Sequence, residues 1–144
     1  MIRILLLLTV SFLASCGSSY HADFAKAEKN FKLKKSPEGP WKGSWESEVN
    51  GHSGPLWCLV SQSEKETMLW DFRYRAGWGI LQFGDYLHQV KAKSHVPGSL
   101  LLDARMKLPN QLGTYAVKGE LTDKTFNVRY QGQGDRGTMI LTRP

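Results

Sequence analysis

The residue types that most often carry metal or acid-base chemistry are few and scattered in this 144-residue chain. The histidines are His21, His52, His88 and His95, and the last two fall on one predicted strand at an odd separation. An odd separation on a strand sends two side chains to opposite faces. A zinc site needs three or four converging ligands, and neither a cysteine pair nor a close His/Asp cluster is present. The pattern therefore predicts no metal site.

Motifs for covalent catalysis and for cofactor binding are also missing. The chain has no serine nucleophile elbow, no Walker-type phosphate loop and no dinucleotide fingerprint. Cys58 lies inside the apolar run 56–60, where a free cysteine usually behaves as a small buried hydrophobe. We therefore expect no catalytic residues and no cofactor, and an enzyme whose site is assembled from distant loops is the less favoured alternative.

Composition and charge limit the class of protein. Hydrophobic residues make up 41% of the chain and charged residues 22%, as in ordinary globular proteins. The 19 basic residues are interleaved with 13 acidic ones, so the net charge of +6 forms no basic stripe of the kind that binds nucleic acid. We expect a small globular protein without a nucleic-acid partner.

The first fifteen residues have the pattern of a secretory signal peptide. One positive charge, Arg3, precedes an apolar run over residues 4–13, and small residues follow it. The run has about half of the ~20 residues that a membrane-spanning helix needs. We therefore expect residues 1–15 to direct export and then to be removed.

The end of this segment reads Leu13-Ala14-Ser15-Cys16 and resembles the lipobox of bacterial lipoproteins. The resemblance implies a diacylglycerol on the Cys16 thiol, cleavage after Ser15 and acylation of the new amino group. Two or three acyl chains anchor firmly, because each buried CH₂ contributes about 0.8 kcal/mol. Gly17 follows the cysteine, which in lipoproteins of the enteric type implies the outer membrane. The expected location is the bacterial cell envelope, with the membrane as partner; an ordinary signal peptide with a chance cysteine is the alternative.

Residues 16–40 are small, polar and lysine-rich, and they are interpreted as a flexible tether behind the lipidated cysteine. Residues 23–31 have a modest helical periodicity, so a short helix lying on the domain or on the membrane is a second interpretation. The sequence at 36–40 contains two prolines and a glycine, which end any regular element. A domain of residues 41–144 follows.

This domain is predicted to be all-β. Nine segments with an alternation of period two follow one another at about 8 to 12 residue spacing, with short turn-like separators. Short connections favour antiparallel neighbours and a meander. The segments have one apolar and one charged face, as where Trp70 and Phe72 alternate with Asp71 and Arg73. No long amphipathic helix is available as a cover, so the sheet must close into a barrel of eight or nine strands or fold into a sandwich.

The two ends of the domain favour the barrel. Gly43-Ser44-Trp45 opens its first strand, and Arg143 ends its last one. This arrangement resembles the calycin group, the lipocalins and avidin-like barrels, in which a Gly-x-Trp motif and a late arginine close the narrow end. The resemblance implies a lipocalin-like barrel in which the Arg143 guanidinium lies across the Trp45 indole, a contact of roughly 0.5 to 2 kcal/mol.

The interior of such a barrel decides the function. An eight-stranded barrel is just wide enough to be filled by side chains or to hold one small ligand, and the large number of rings favours filling. Tyr86, His88 and Tyr115 are the candidate ligand contacts, with a hydrogen-bonded core position as the competing interpretation of His88. The predicted function is a non-enzymatic, lipid-anchored envelope protein whose barrel binds a small hydrophobic ligand, or a partner such as an envelope protein at its rim. The alternative is a structural or interaction module with a filled core.

Overall fold

A computed structural model describes residues 19–94, 96–108 and 113–144. The predicted signal peptide 1–15, the predicted lipid-attachment residue Cys16 and His95 lie outside the described residues. One helix precedes eight strands: α1 (Tyr20–Asn30), β1 (Gly39–Ser47), β2 (Ser53–Gln62), β3 (Leu69–Trp78), β4 (Leu81–Lys91), β5 (Leu100–Leu108), β6 (Gly113–Leu121), β7 (Thr125–Gln131) and β8 (Arg136–Thr142).

The strands form one antiparallel sheet with the order β4-β3-β2-β1-β8-β7-β6-β5. Strands β1 and β8 pair with each other, and all other neighbours in the sheet are neighbours along the chain. Strands β4 and β5 are the two ends of the sheet and approach each other, so the barrel is nearly closed. The predicted antiparallel, lipocalin-like barrel is confirmed, with eight strands rather than nine.

The ninth predicted segment is part of β4. The sequence predicts segments at residues 79–83 and 86–94, and the first of them is either a separate strand or a bent continuation. In the structure they continue one strand past Gly84, whose φ of +86° bends the chain without ending the pairing. The register between β3 and β4 shifts between Tyr74 and Ala76, which is a β-bulge.

The inward faces are those that the alternation predicted. Trp70, Phe72, Phe126 and Val128 are all buried, whereas the polar and charged residues that alternate with them face outward. Cys58 is also buried in this core, and burial raises the pKa of its thiol well above the usual value. The interpretation of Cys58 as a core residue is confirmed.

The described part of residues 16–40 is not a loose spacer. Tyr20 and Phe24 of α1 are buried, and the helix lies on the outer face of the sheet with contacts to β1, β2, β3 and β4. The Tyr20 hydroxyl donates to the backbone oxygen of Arg73 at 3.1 Å, and the Arg73 guanidinium is bound by Asp23 at 2.7 Å and by Asp85. This corrects the interpretation as a flexible tether and supports the second interpretation, a helix on the domain. The folded domain also begins earlier than residue 41, since β1 starts at 39.

One end of the barrel is closed by Arg143 and Trp41. The Arg143 Cζ atom lies 3.7 Å from the centre of the Trp41 ring system and 4.6 Å from that of Phe31. Desolvation lowers the pKa of Arg143 to about 10, so the guanidinium is still charged at neutral pH. Its nitrogens donate to the backbone oxygens of Ser36, Pro40 and Asp123 at 2.7, 3.3 and 3.0 Å.

The expected contact between Arg143 and Trp45 is therefore corrected. In the pairing of β1 with β8, Trp45 lies opposite Met139. Lys42 lies opposite Thr142, so the next residue outward on each strand is Trp41 on β1 and Arg143 after β8. Trp45 lies four residue positions after Trp41, a distance of about 13 Å along β1. Trp45 instead points toward the opposite end, where its indole nitrogen donates to the backbone oxygen of Gly77 at 3.0 Å.

Candidate functional site

The end of the barrel opposite Arg143 contains a cavity of about 210 Å³. Every strand contributes to its wall, because residues two apart along each strand point to the same face. Its lining residues on β1–β4, β7 and β8 lie near the strand ends that are joined by the β1–β2, β3–β4 and β7–β8 connections, and we call this end of the barrel the mouth. The cavity is lined by Trp45, Leu56, Tyr74, Ala76, Phe83, Tyr86, Met106, Leu108, Tyr115, Tyr130, Asp135 and Met139.

The other half of the lumen is filled. Trp41 packs edge-on against Phe126 with the ring centres 5.7 Å apart, and Phe126 packs edge-on against Phe72 at 6.1 Å. These three rings fill the lumen between the end closed by Arg143 and the cavity. The filled core and the ligand cavity therefore occupy different halves of the lumen. Aromatic rings fill the half near Arg143, and the half near the β1–β2, β3–β4 and β7–β8 connections holds the cavity.

The cavity has one charged group in its lining within the part of the chain that the structure describes, the Asp135 carboxylate. It accepts a hydrogen bond from the Ser47 hydroxyl at 2.5 Å and another from the Tyr130 hydroxyl at 3.2 Å. Desolvation, with a further contribution from Asp135, raises the pKa of both Tyr130 and Tyr115. Both phenols therefore stay protonated and can donate hydrogen bonds at neutral pH.

Two of the three predicted ligand contacts meet in this cavity. Tyr86 of β4 and Tyr115 of β6 both line it, and the ring of Tyr115 lies 5.9 Å from that of Tyr130. His88 faces inward as predicted but lies two residues deeper along β4, opposite Phe72 and outside the lining.

The hydrogen-bonded core position expected for His88 is not observed. Its Nε2 atom is buried and has no hydrogen-bond partner among the described residues. Desolvation lowers the pKa of His88 below its usual value, which favours the neutral imidazole.

Sequence reasoning missed Asp135 as a site residue. It lies in the turn between β7 and β8, and a turn aspartate is expected to bond nearby backbone amides. The structure instead pairs it with Ser47, 88 residues away in sequence, because the end of β1 lies beside the start of β8. Nothing local to either residue indicates this contact.

Residues 19–94, 96–108 and 113–144 contain neither a cluster of metal ligands nor a membrane-spanning helix. No group of three or more His, Cys, Asp or Glu side chains there could hold a metal ion. None of the helices in the same ranges is long and apolar enough to span a membrane.

Comparison with known proteins identifies no relative. No protein-family model matches the chain, no curated protein matches it, and no solved structure matches it.

Proposed function

We propose that this protein is a non-enzymatic, lipid-anchored component of the bacterial cell envelope whose barrel binds a small, mainly apolar ligand. The observation that carries the proposal is the cavity of about 210 Å³ at the open end of the barrel, with walls made almost entirely of aromatic and aliphatic side chains. An apolar cavity with a few convergent polar groups is the usual form of a small-molecule site.

The size of the cavity favours a compact ligand or the end of a longer one. Typical sites for drug-sized molecules measure about 300 to 1,000 Å³, and this cavity is smaller. Because it opens at one end, an elongated molecule could place only its apolar end inside.

The polar groups of the lining favour a ligand with one hydrogen-bonding group. A carboxylate has about four acceptor sites, and Ser47 and Tyr130 occupy two of those on Asp135. A ligand hydroxyl or amine near Asp135 would take a remaining site, and the Tyr115 hydroxyl is a donor in the same lining. We therefore propose an apolar body with a single hydroxyl or amine group as the preferred chemistry.

The anchor is proposed from the lipobox-like sequence that ends at Cys16, and from Gly17 for the outer membrane. Mass spectrometry of the N-terminal peptide of the chain purified from host membranes tests it. We expect a chain that begins at Cys16 and carries acyl groups on that residue. An unmodified Cys16 would refute the anchor without affecting the proposal about the cavity.

The cavity proposal is tested by native mass spectrometry of the full chain, purified from its host, before and after unfolding. We expect an additional mass that is lost on unfolding. In Ala76→Trp, an indole projects into the cavity from β3 and should exclude the ligand. Ile140→Trp is the matched control, because Ile140 is exposed on the outer face of β8 and the same indole there leaves the cavity unchanged.

Ala76→Trp must differ from the other two proteins for the proposal to stand. The additional mass should be present in the unmodified chain and in Ile140→Trp, and absent from Ala76→Trp. A bare polypeptide mass in the unmodified chain, or an equal additional mass in all three, contradicts ligand binding in this cavity and favours the structural or interaction module.

A further inference from the structure

The hairpin between β3 and β4 exposes four large apolar side chains at the mouth of the cavity. Trp78 is 46% exposed, Ile80 100%, Leu81 58% and Phe83 38%, and these four residues are called the apolar tip. Single exposed apolar residues are ordinary, but a contiguous group of them marks an interaction surface. Phe83 also lines the cavity, so the apolar tip forms part of the rim of the cavity.

The chain enters the folded domain beside this apolar tip. Helix α1 begins at 20, and the next residue, His21, makes a hydrogen bond with Gln82 in which Nε2 and Oε1 are 2.6 Å apart. Gln82 directly follows Leu81 of the apolar tip. Ser19 accepts a bond from Arg73 on the same outer face at 3.4 Å. The described chain therefore starts on the outer face of β3 and β4, and His21 contacts a residue that lies between two members of the apolar tip.

The distance from this point to the proposed lipid is short. Cys16 precedes Ser19 by three residues in the sequence, and three residues reach at most about 11 Å even when fully extended. Acyl chains on Cys16 are therefore held within about 11 Å of Ser19. This is the part of α1 that contacts the β3–β4 hairpin, whereas Phe31, after the other end of α1, lies at Arg143. The opposite end, where Arg143 covers Trp41, is separated from the mouth by the length of the strands.

From these positions we propose that the apolar tip docks on the lipid bilayer that holds the Cys16 anchor, so that the cavity opens toward the membrane surface. The proposal rests on the proposed lipid anchoring. Ile80 and Leu81 have the aliphatic side chains that enter the acyl region, and Trp78 has the amphipathic ring that is enriched at membrane interfaces. The consequence for function is that the ligand is an apolar molecule taken up from the membrane or delivered to it.

The depth of Ile80 in the membrane is the measurement that tests this proposal. The full chain with Ile80→Cys is labelled with an environment-sensitive fluorophore and reconstituted in vesicles of phosphatidylethanolamine and phosphatidylglycerol that contain lipids with brominated acyl chains. Cys58 is fully buried and does not compete for the label. Ile140→Cys is the matched control, since Ile140 is 54% exposed on the outer wall of the barrel.

We expect the label at position 80 to be quenched by the brominated chains at least several-fold more strongly than the label at position 140. Adding Leu81→Asp to the Ile80→Cys chain should remove most of the difference in quenching between positions 80 and 140, because it places a charge in the docked segment. Equal quenching at the two positions overturns the proposal. A label at position 80 that is shielded from water but not quenched by the lipids also overturns it, because a second copy of the chain then covers the apolar tip.

Failure of the docking and failure of the anchor are distinguished in the same preparation by the mass of the N-terminal peptide. Lipid on Cys16 with an unquenched label at position 80 overturns the docking and leaves the anchor intact. An unmodified Cys16 overturns the anchor. Because a free Cys16 thiol would also take the label, the comparison is then made in the Cys16→Ser chain, where stronger quenching at position 80 than at position 140 supports docking by the apolar tip alone.

Discussion

The contact between Arg143 and Trp41 can be measured as a coupling energy. The guanidinium carbon lies 3.7 Å from the centre of the indole, which is close for a cation–π contact and is worth about 1 to 2 kcal/mol in a partly buried position. Three backbone oxygens also accept hydrogen bonds from this guanidinium, and each loses a partner when it is removed. Together we expect Arg143→Ala to lower the free energy of unfolding by about 3 kcal/mol. Arg143→Lys keeps the positive charge but loses the planar guanidinium with its several donors, and it should lower the free energy of unfolding by about 2 kcal/mol.

A double-mutant cycle separates this contact from the one that the sequence suggested. Arg143→Ala is combined with Trp41→Phe in one cycle and with Trp45→Phe in the other, and urea unfolding is followed by far-UV circular dichroism. We expect a coupling energy of about 0.5 to 1 kcal/mol with Trp41, because a phenyl ring binds a cation less strongly than an indole. The coupling with Trp45 should be within about 0.3 kcal/mol of zero, since that ring is far from the guanidinium. A coupling with Trp45 as large as that with Trp41 would refute the β1–β8 register.

Three further variants test other parts of the structure. Since burial lowers the pKa of His88 below its usual 6.5, the unfolded chain takes up the proton more readily, so the free energy of unfolding should fall as the pH drops below about 6.5. His88→Leu should weaken this pH dependence. It should also raise the free energy of unfolding at pH 7 by about 1 kcal/mol, because it removes a buried nitrogen that has no hydrogen-bond partner. Equal slopes of unfolding free energy against pH for the variant and the unmodified chain, measured by urea titration, would contradict this prediction. Tyr20→Ala should cost about 3 to 5 kcal/mol and expose residues 19–40 to trypsin, because it removes a fully buried ring, and continued protection would show that other contacts hold α1. Gly39→Ala should lower the stability measured by thermal unfolding by at least about 1 kcal/mol more than Gly51→Ala does. An added Cβ at Gly39 would lie 3.0 Å from the Phe31 ring, whereas at Gly51 it would contact nothing. Equal losses of stability would contradict the packing of Phe31 against Gly39.

The inward positions of the cavity residues could be predicted from the sequence, but their grouping could not. Alternation along β4 and β6 predicts that Tyr86 and Tyr115 face the lumen, and both line the cavity. The same alternation makes His88 an equally good candidate for a ligand contact, although it lies opposite Phe72 and outside the lining of the cavity. Depth along the barrel depends on how far each strand is displaced relative to its neighbours, and alternation carries no information on that displacement.

The sequence by itself determined that this domain is antiparallel and all-β, with strands that have one apolar face. The alternation left a barrel and a sandwich open, and only the resemblance carried by Trp45 and Arg143 favoured the barrel. The sequence also predicts an export signal that ends in a lipid-attachment cysteine. These properties depend on local patterns: period-two alternation, short turns and a run of apolar residues. Only the tertiary structure decided that Trp41 rather than Trp45 lies under Arg143, that Asp135 bonds Ser47 across 88 residues, and that α1 starts beside the hairpin at the mouth of the cavity. Each of these contacts joins distant parts of the chain, and the strand register that creates them is a property of the closed sheet as a whole.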